Sequence, residues 1–359
     1  MTAPRLVIDA LAARFGGTAY AAIQIAQRLA RDDGFAEVVV VTRRGSLVAD
    51  GLTAGGRLRL VTLRPASRGE LARRLAWETI ALPREVTRRG PAVVLTWSGM
   101  LPIRVPVPVV AYLANPVMFQ VDSPANRLRR LAVQRTAASA RLIAPSASMA
   151  RLAGDALGAP VDVVPLGVDH ARFSPAADLG DEVLCVADFY GHKRHDVVLE
   201  AWAALPRPRP TLRLIGDPRV DPAAYRATRA RIDGLREGGP ICVDSHVSLT
   251  ELVAAYRRAR VFVVASEHES FCMPLLEALA CGIPAVSRDL PVLRETGGAG
   301  ATYVRGDDAG SWASALEALL DDDEAHRRAR SRAIEQAAGF SWNRAATALR
   351  DLLLDGAGG

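Results

Sequence analysis

The chain has 359 residues, half of them hydrophobic, and a formal net charge of +6. That length suits about two domains of ordinary size, and the absence of any run of about 18 or more apolar residues argues against a membrane-spanning helix. The charge is uneven, with 22 arginines against 11 carboxylates in residues 1–165 and 23 basic against 28 acidic residues in the remainder. A basic front half points to an anionic acceptor or an acidic membrane surface, or equally to a solvated, arginine-rich exterior. No aromatic–basic interleaving or nucleic-acid motif accompanies the charge, which argues against nucleic acid as a partner. Cys185, Cys242, Cys272 and Cys281 lack metal-ligand or framework spacing, and no secretory signal precedes the first apolar run. They read as reduced thiols of a cytosolic protein.

From the N-terminus, short β-branched runs alternate with helical periods. In the first half strands are predicted at Leu6–Asp9, Glu37–Thr42, Leu58–Leu63, Ala92–Thr96, Val107–Tyr112, Leu142–Ala144 and Val161–Val164, and helices at Thr18–Arg31, Glu70–Ala81, Asn126–Ala138 and Ser146–Leu157. In the second half strands are predicted at Val183–Ala187, Thr211–Ile215, Ile241–Val243, Val261–Ala265, Ala285–Ser287 and Ala301–Tyr303, with helices at Asp196–Ala204, Pro222–Leu235, Leu249–Ala259 and Pro274–Ala280. Such alternation builds parallel sheets covered by helices on both faces. The fold class is therefore α/β, with two doubly wound domains joined near Pro165–Pro175, where Gly and Pro break both periods.

The stretch from Glu269 to Pro284 is the most informative. Glu269 and Glu277 bracket a helix start, Pro274 fits the first helical turn, and Gly282 fits the residue just past the helix end. The N–H groups between Phe271 and Leu275 (Phe271, Cys272, Met273, Leu275, with Pro274 among them) then form an anion site at a helix N-terminus. Carboxylates at its edges would repel phosphate and so accept hydrogen bonds from hydroxyls. Phosphate in the middle with hydroxyls at both ends describes a nucleotide sugar. Upstream, Asp188–Asp196 follows a strand and holds Lys193, the only lysine among 45 basic residues. A compact ammonium in a loop at a strand's C-terminal end suits a diphosphate leaving group. Thr18 reads as an N-cap after Gly16 and Gly17, which let the backbone approach a ligand. Asn115, before Pro116, is either a turn former or a sugar contact. The six histidines show no metal spacing, and Asp321–Asp323 reads as a solvated helix cap.

These residues resemble family 4 of the retaining glycosyltransferases. The 269–284 string is similar to its E-x7-E motif, with Ser270 and Cys272 where glycine is usual, and 165–175 is similar to its interdomain segment, matching at Gly167, Val168, Asp169, Phe173 and Pro175. Lys193 falls on the lysine of its V-G-R-L-x-x-x-K-G pattern, while Asp188 stands on its arginine. Arg194 could take over that arginine's role, or Asp188 could be structural. No histidine stands near Asn115, where many members carry one.

The resemblance implies a GT-B fold with an acceptor domain at 1–165, a nucleotide-sugar domain at 166–338, and a closing segment at 339–359 returning to the first, whose end from Asp351 is expected to fray. It further implies that Glu277 holds ribose hydroxyls and Glu269 donor-sugar hydroxyls, and that Lys193 with the Phe271–Leu275 amides neutralises the departing diphosphate. The His246–Val247 backbone would contact the base, and the Gly16–Thr18 loop would approach phosphates and acceptor. The expected donor is a UDP- or GDP-hexose, with no metal or other cofactor. The acceptor is a carbohydrate, a lipid-linked saccharide or a small metabolite, and contact with the inner face of a membrane would run through the basic half. A nucleotide-sugar 2-epimerase and a non-catalytic nucleotide-sugar binder are the alternatives.

Overall fold

The computed structural model describes residues 3–13, 16–64, 76–87, 92–97, 105–137, 139–176, 180–235 and 238–357. The chain divides into two compact units, Met1–Gly167 with Trp342–Gly359, and Val168–Ser341.

Among the described residues the first unit is built on seven strands, β1 (Arg5–Asp9), β2 (Glu37–Arg43), β3 (Leu58–Leu63), β4 (Ala92–Thr96), β5 (Val109–Tyr112), β6 (Arg141–Ala144) and β7 (Val161–Val163). All pair in parallel in the order β3-β2-β1-β4-β5-β6-β7. The helices are α1 (Gly16–Leu29), α2 (Leu47–Gly51), a π-turn at Trp77–Ala81 running into α3 (Leu82–Thr87), α4 (Val117–Gln120), α5 (Pro124–Ala137) and α6 (Ala147–Leu157). Valines such as Val39, Val41 and Val94 are fully buried because helices cover both faces of the sheet, which is why these strands read as continuous apolar runs rather than alternating ones.

The second unit has six parallel strands, β8 (Glu182–Val186), β9 (Leu212–Ile215), β10 (Ile241–Asp244), β11 (Ala259–Val264), β12 (Ala285–Arg288) and β13 (Ala301–Val304), in the order β10-β9-β8-β11-β12-β13. Its helices are α7 (His195–Ala204), α8 (Pro222–Leu235), α9 (Leu249–Arg258), α10 (Met273–Ala280), α11 (Pro291–Gly297), α12 (Ala309–Leu320) and α13 (Asp323–Ala338). Trp202 and Trp312 are completely buried in this core, and each indole N–H finds a carbonyl, of Pro210 at 2.8 Å and Gly306 at 3.0 Å. A buried indole without such a partner would carry a desolvation penalty.

In both sheets the strand order reverses once, between β1 and β4 and between β8 and β11. Loops leaving neighbouring strands at such a reversal diverge to opposite faces and open a crevice, the usual ligand position in an open α/β sheet.

Three expectations need correction or restriction. Helix α1 begins at Gly16 rather than after Thr18, because Gly16 takes φ +62° and turns the chain into the helix two residues early; Thr18 is therefore inside the first turn and is not the N-cap. The helix expected over residues 70–81 lies outside the described residues before Ala76, and Trp77–Ala81 form a π-turn. The end expected to fray from Asp351 stays helical within α14 (Trp342–Ala357), where Leu349 and Leu353 are fully buried and Asp355 faces Arg141 at 3.8 Å. The short helices α2, α4 and α11 carry too few residues to show a period and were not expected.

Candidate functional site

The second-unit reversal is lined by the loops after β8 and β11. The β11 loop leads into α10, whose first turn contains Pro274, with Cys272 at the N-cap. Cys272 holds φ +71°, a left-handed conformation that costs a residue with a Cβ about 1 kcal/mol. It stands where the family pattern has glycine, so the cap geometry is kept and the strain is borne by the cysteine. The Thr296 hydroxyl donates to the Phe271 carbonyl at 2.5 Å, and the Phe271 ring packs edge-on against Phe340 at 5.6 Å. At the far end Gly282 takes φ +74°, with its N–H on the Leu279 carbonyl and the Ile283 N–H on that of Ala278. This pair of bonds is a Schellman stop. The N-terminal N–H groups of α10 have no acceptors within the helix, and its dipole favours an anion beside them. Ser270 is half-buried beside this turn, while Phe271, Cys272, Met273 and Leu275 are buried.

Lys193 ends a short 3-10 turn at Gly191–Lys193 and donates from Nζ to Glu269 Oε1 at 2.6 Å, both side chains being largely buried. The strand order alone brings these residues, 76 apart in sequence, to one place. Burial acts to lower the Lys193 pKa, but the Glu269 carboxylate outweighs it and the ammonium is held above its usual value. Lys193 has three donors and spends one on Glu269.

Arg194 differs from its expected role as a second phosphate cation. Its guanidinium meets Glu267 at 2.5 Å, Asp307 at 2.8 Å and Asp196 at 3.0 Å, and Asp307 also takes Arg288 at 2.6 Å. A fork committed to three carboxylates is a strut for the loop and has little to offer a ligand. Asp188, at the family's arginine position, accepts the Asp217 backbone N–H at 3.0 Å, a structural task tying the ends of β8 and β9.

Glu277 lies on α10, 8% exposed, and accepts the Tyr256 hydroxyl at 2.9 Å. Burial pushes its carboxyl up to about 7, and the tyrosine hydrogen bond opposes that rise. Tyr256 is itself fully buried, edge-on to Phe173 at 5.7 Å. At helical spacing on α9 it reads as an ordinary core aromatic, and the only sequence signal was that a buried hydroxyl needs a partner. Glu267, Asp307 and Thr296 were likewise not foreseen. His246, exposed with φ +57°, and the half-buried Val247 follow β10 at the sheet's edge, beside Asp217, whose carboxyl the Arg219 hydrogen bond holds below the usual carboxylate range.

In the first unit Gly16, Gly17 and Thr18 are exposed at the β1/β4 reversal, and the Trp97 indole N–H donates to the Thr18 carbonyl at 3.1 Å. Asn115 is exposed before α4, after the end of β5.

Residues 15–172 match Glycosyltransferase Family 4 and residues 170–336 match Glycosyl transferases group 1. D-inositol 3-phosphate glycosyltransferase of Nocardia farcinica is 32% identical over 271 residues, 67% of this chain and 58% of that protein. The Kineococcus radiotolerans protein of the same name is 32% identical over 280 residues, 67% of this chain and 62% of that one. The chain thus spans about three fifths of the length of these curated relatives. Among solved structures, sucrose-phosphate synthase of Thermosynechococcus elongatus superposes with a TM-score of 0.82 at 20% identity, covering 98% of each chain. Anabaena HepE, in complex with UDP and glucose, gives 0.80 at 16% identity over 97% of this chain and 99% of that one. The two matches together run through nearly all of both units, and the chain belongs to glycosyltransferase family 4, with the GT-B fold.

Proposed function

We propose that the protein is a retaining glycosyltransferase that moves a hexosyl group from UDP- or GDP-hexose to an acceptor hydroxyl, without a resident metal or cofactor. The observation that carries this reading is the Lys193–Glu269 pair, 2.6 Å apart, on the two loops at the β8/β11 reversal beside the α10 N-terminus. A cation, a helix N-terminus and a hydroxyl acceptor meet there, which is the complement of a sugar diphosphate.

In this mechanism Glu277, oriented by Tyr256, accepts from the ribose hydroxyls, and Glu269 accepts from hydroxyls of the donor sugar. The two remaining Lys193 donors and the amides of Phe271, Cys272, Met273 and Leu275 face the diphosphate. As the bond between the anomeric carbon and the diphosphate oxygen breaks, negative charge grows on that oxygen, where these groups already stand. The acceptor oxygen bonds to the same face of the anomeric carbon, and its proton passes to the departing diphosphate oxygen. Base contact falls to the His246–Val247 backbone, and acceptor contact to the Gly16–Thr18 loop and Asn115. The acceptor named for the relatives, D-inositol 3-phosphate, agrees with the excess of arginine in residues 1–165 and makes a phosphorylated polyol the first acceptor to assay.

Thermal unfolding with UDP, GDP, ADP and dTDP tests the donor site. A ligand at ~100 times its dissociation constant adds roughly 3 kcal/mol of stability, and Glu277→Ala should abolish that gain. The anomeric configuration of the product, read by NMR, tests retention. Flat curves for all four nucleotides would overturn the reading.

A further inference from the structure

Helix α5 turns an unusual face outward. Its inner side is anchored by Val133 and Ala137 in the core, by Asn126, which donates to the carbonyls of Val117 and Val121 at 3.1 and 2.9 Å, and by Arg130, which donates to the Met118 carbonyl at 2.9 Å. On the opposite side Leu128 is 70% exposed and Leu131 50% exposed. These positions are three apart and share one helical face, which Arg135 extends by a further turn, seven residues from Leu128. Arg127 and Arg129, both exposed, lie on either flank of this leucine face. The helix and the turn before it carry four arginines against a single acid, Asp122, which is paired with Arg127 and Arg130.

We infer that this face of α5 is a docking surface for an anionic lipid membrane, with Leu128 and Leu131 entering the headgroup region and Arg129 and Arg135 meeting lipid phosphates. Moving large aliphatic side chains from water into the interfacial layer lowers their free energy, while arginine stems reach along that layer to the phosphates. The charge complementarity is to an anionic surface. The shape agrees, because two leucines on a convex helix offer no groove for a peptide, whereas a deformable lipid layer can accept them. This docking is independent of the proposed reaction.

Flotation of the full chain with phosphatidylglycerol–phosphatidylcholine vesicles tests it, with pure phosphatidylcholine vesicles as reference. Binding is expected only to the anionic vesicles and should weaken as salt is raised. L128S/L131S is expected to lower it ~10-fold or more, and R129Q/R135Q to a similar degree. These side chains point to solvent, so both variants should keep the wild-type melting temperature. No flotation of the wild type, or flotation that both variants retain, overturns the inference. A concentration-dependent dimer abolished by L128S/L131S, without vesicle binding, assigns the face to a second copy of the chain instead.

Discussion

At the β1/β4 reversal of the first sheet the loop ends are tied by a neutral bond, from the Trp97 indole to the Thr18 carbonyl, with Trp97 stacked flat on Tyr112 at 4.5 Å. At the β8/β11 reversal of the second sheet the tie is ionic, Lys193 to Glu269, and a second cluster of Arg194 with Glu267, Asp196 and Asp307 stands beside it. The same strand topology therefore closes with two chemistries. A neutral bond is cheap to desolvate and indifferent to pH and salt, so it serves as scaffold. A buried ion pair gains little net stability over an apolar pair, because desolvation offsets most of its attraction. Charge kept at such a cost makes sense where a charged ligand is to be met, as in the donor site proposed for the second unit.

The largest test of this contrast is Lys193→Ala. Turnover with a nucleotide sugar should fall by ~100-fold or more while the fold persists; a variant with near wild-type turnover would remove the ammonium from the chemistry. Glu277 gives a pH signature of comparable size. Its folded pKa of about 7 lies above the usual carboxylate value of 4.5, so its stabilising contribution is present at low pH and is lost as pH rises through 7. The stability difference between wild type and Glu277→Gln should therefore shift against wild type by roughly 3 kcal/mol between acid pH and pH 8. Urea titrations across that range read it, and a flat difference would mean the carboxyl is not desolvated. Arg194→Ala leaves three partly exposed carboxylates facing one another and should cost about 2 kcal/mol, less than a fully buried pair. No loss in chemical denaturation would contradict its role as a strut. Trp97→Phe keeps the stack on Tyr112 and deletes one bond, for about 1 kcal/mol, without altering nucleotide binding. A change in nucleotide affinity in that variant would break the division of labour between the two reversals.

The architecture was largely legible, since thirteen apolar β-branched runs announced thirteen strands within a residue or two at most ends. The long helices from α1 to α10 showed their period, whereas α2 and α4, of five and four residues, did not, and α12 and α13 were given no range beyond the acidic cap at Asp321–Asp323. The E-x7-E string and the lone lysine marked the candidate site. Its supporting shell was not marked, because Tyr256 looks like any core aromatic and Glu267 and Asp307 like any surface acids. Arg194 shows the same limit from the other side: its place in the loop suggested a free cation, and the three acids that occupy it come from separate segments.

Local sequence determined which stretches form strands, where α10 starts and stops, and that an anion-favouring turn sits between two glutamates, because periodicity, Pro and Gly act over a few residues. The tertiary structure decided which charges are free to act. Glu269 is paired because strand order sets it against a lysine 76 residues away, and Glu277 is held near neutrality because packing removes its water and leaves it one hydroxyl. Desolvation and pairing depend on neighbours distant along the chain, so they appear only once the sheets have formed.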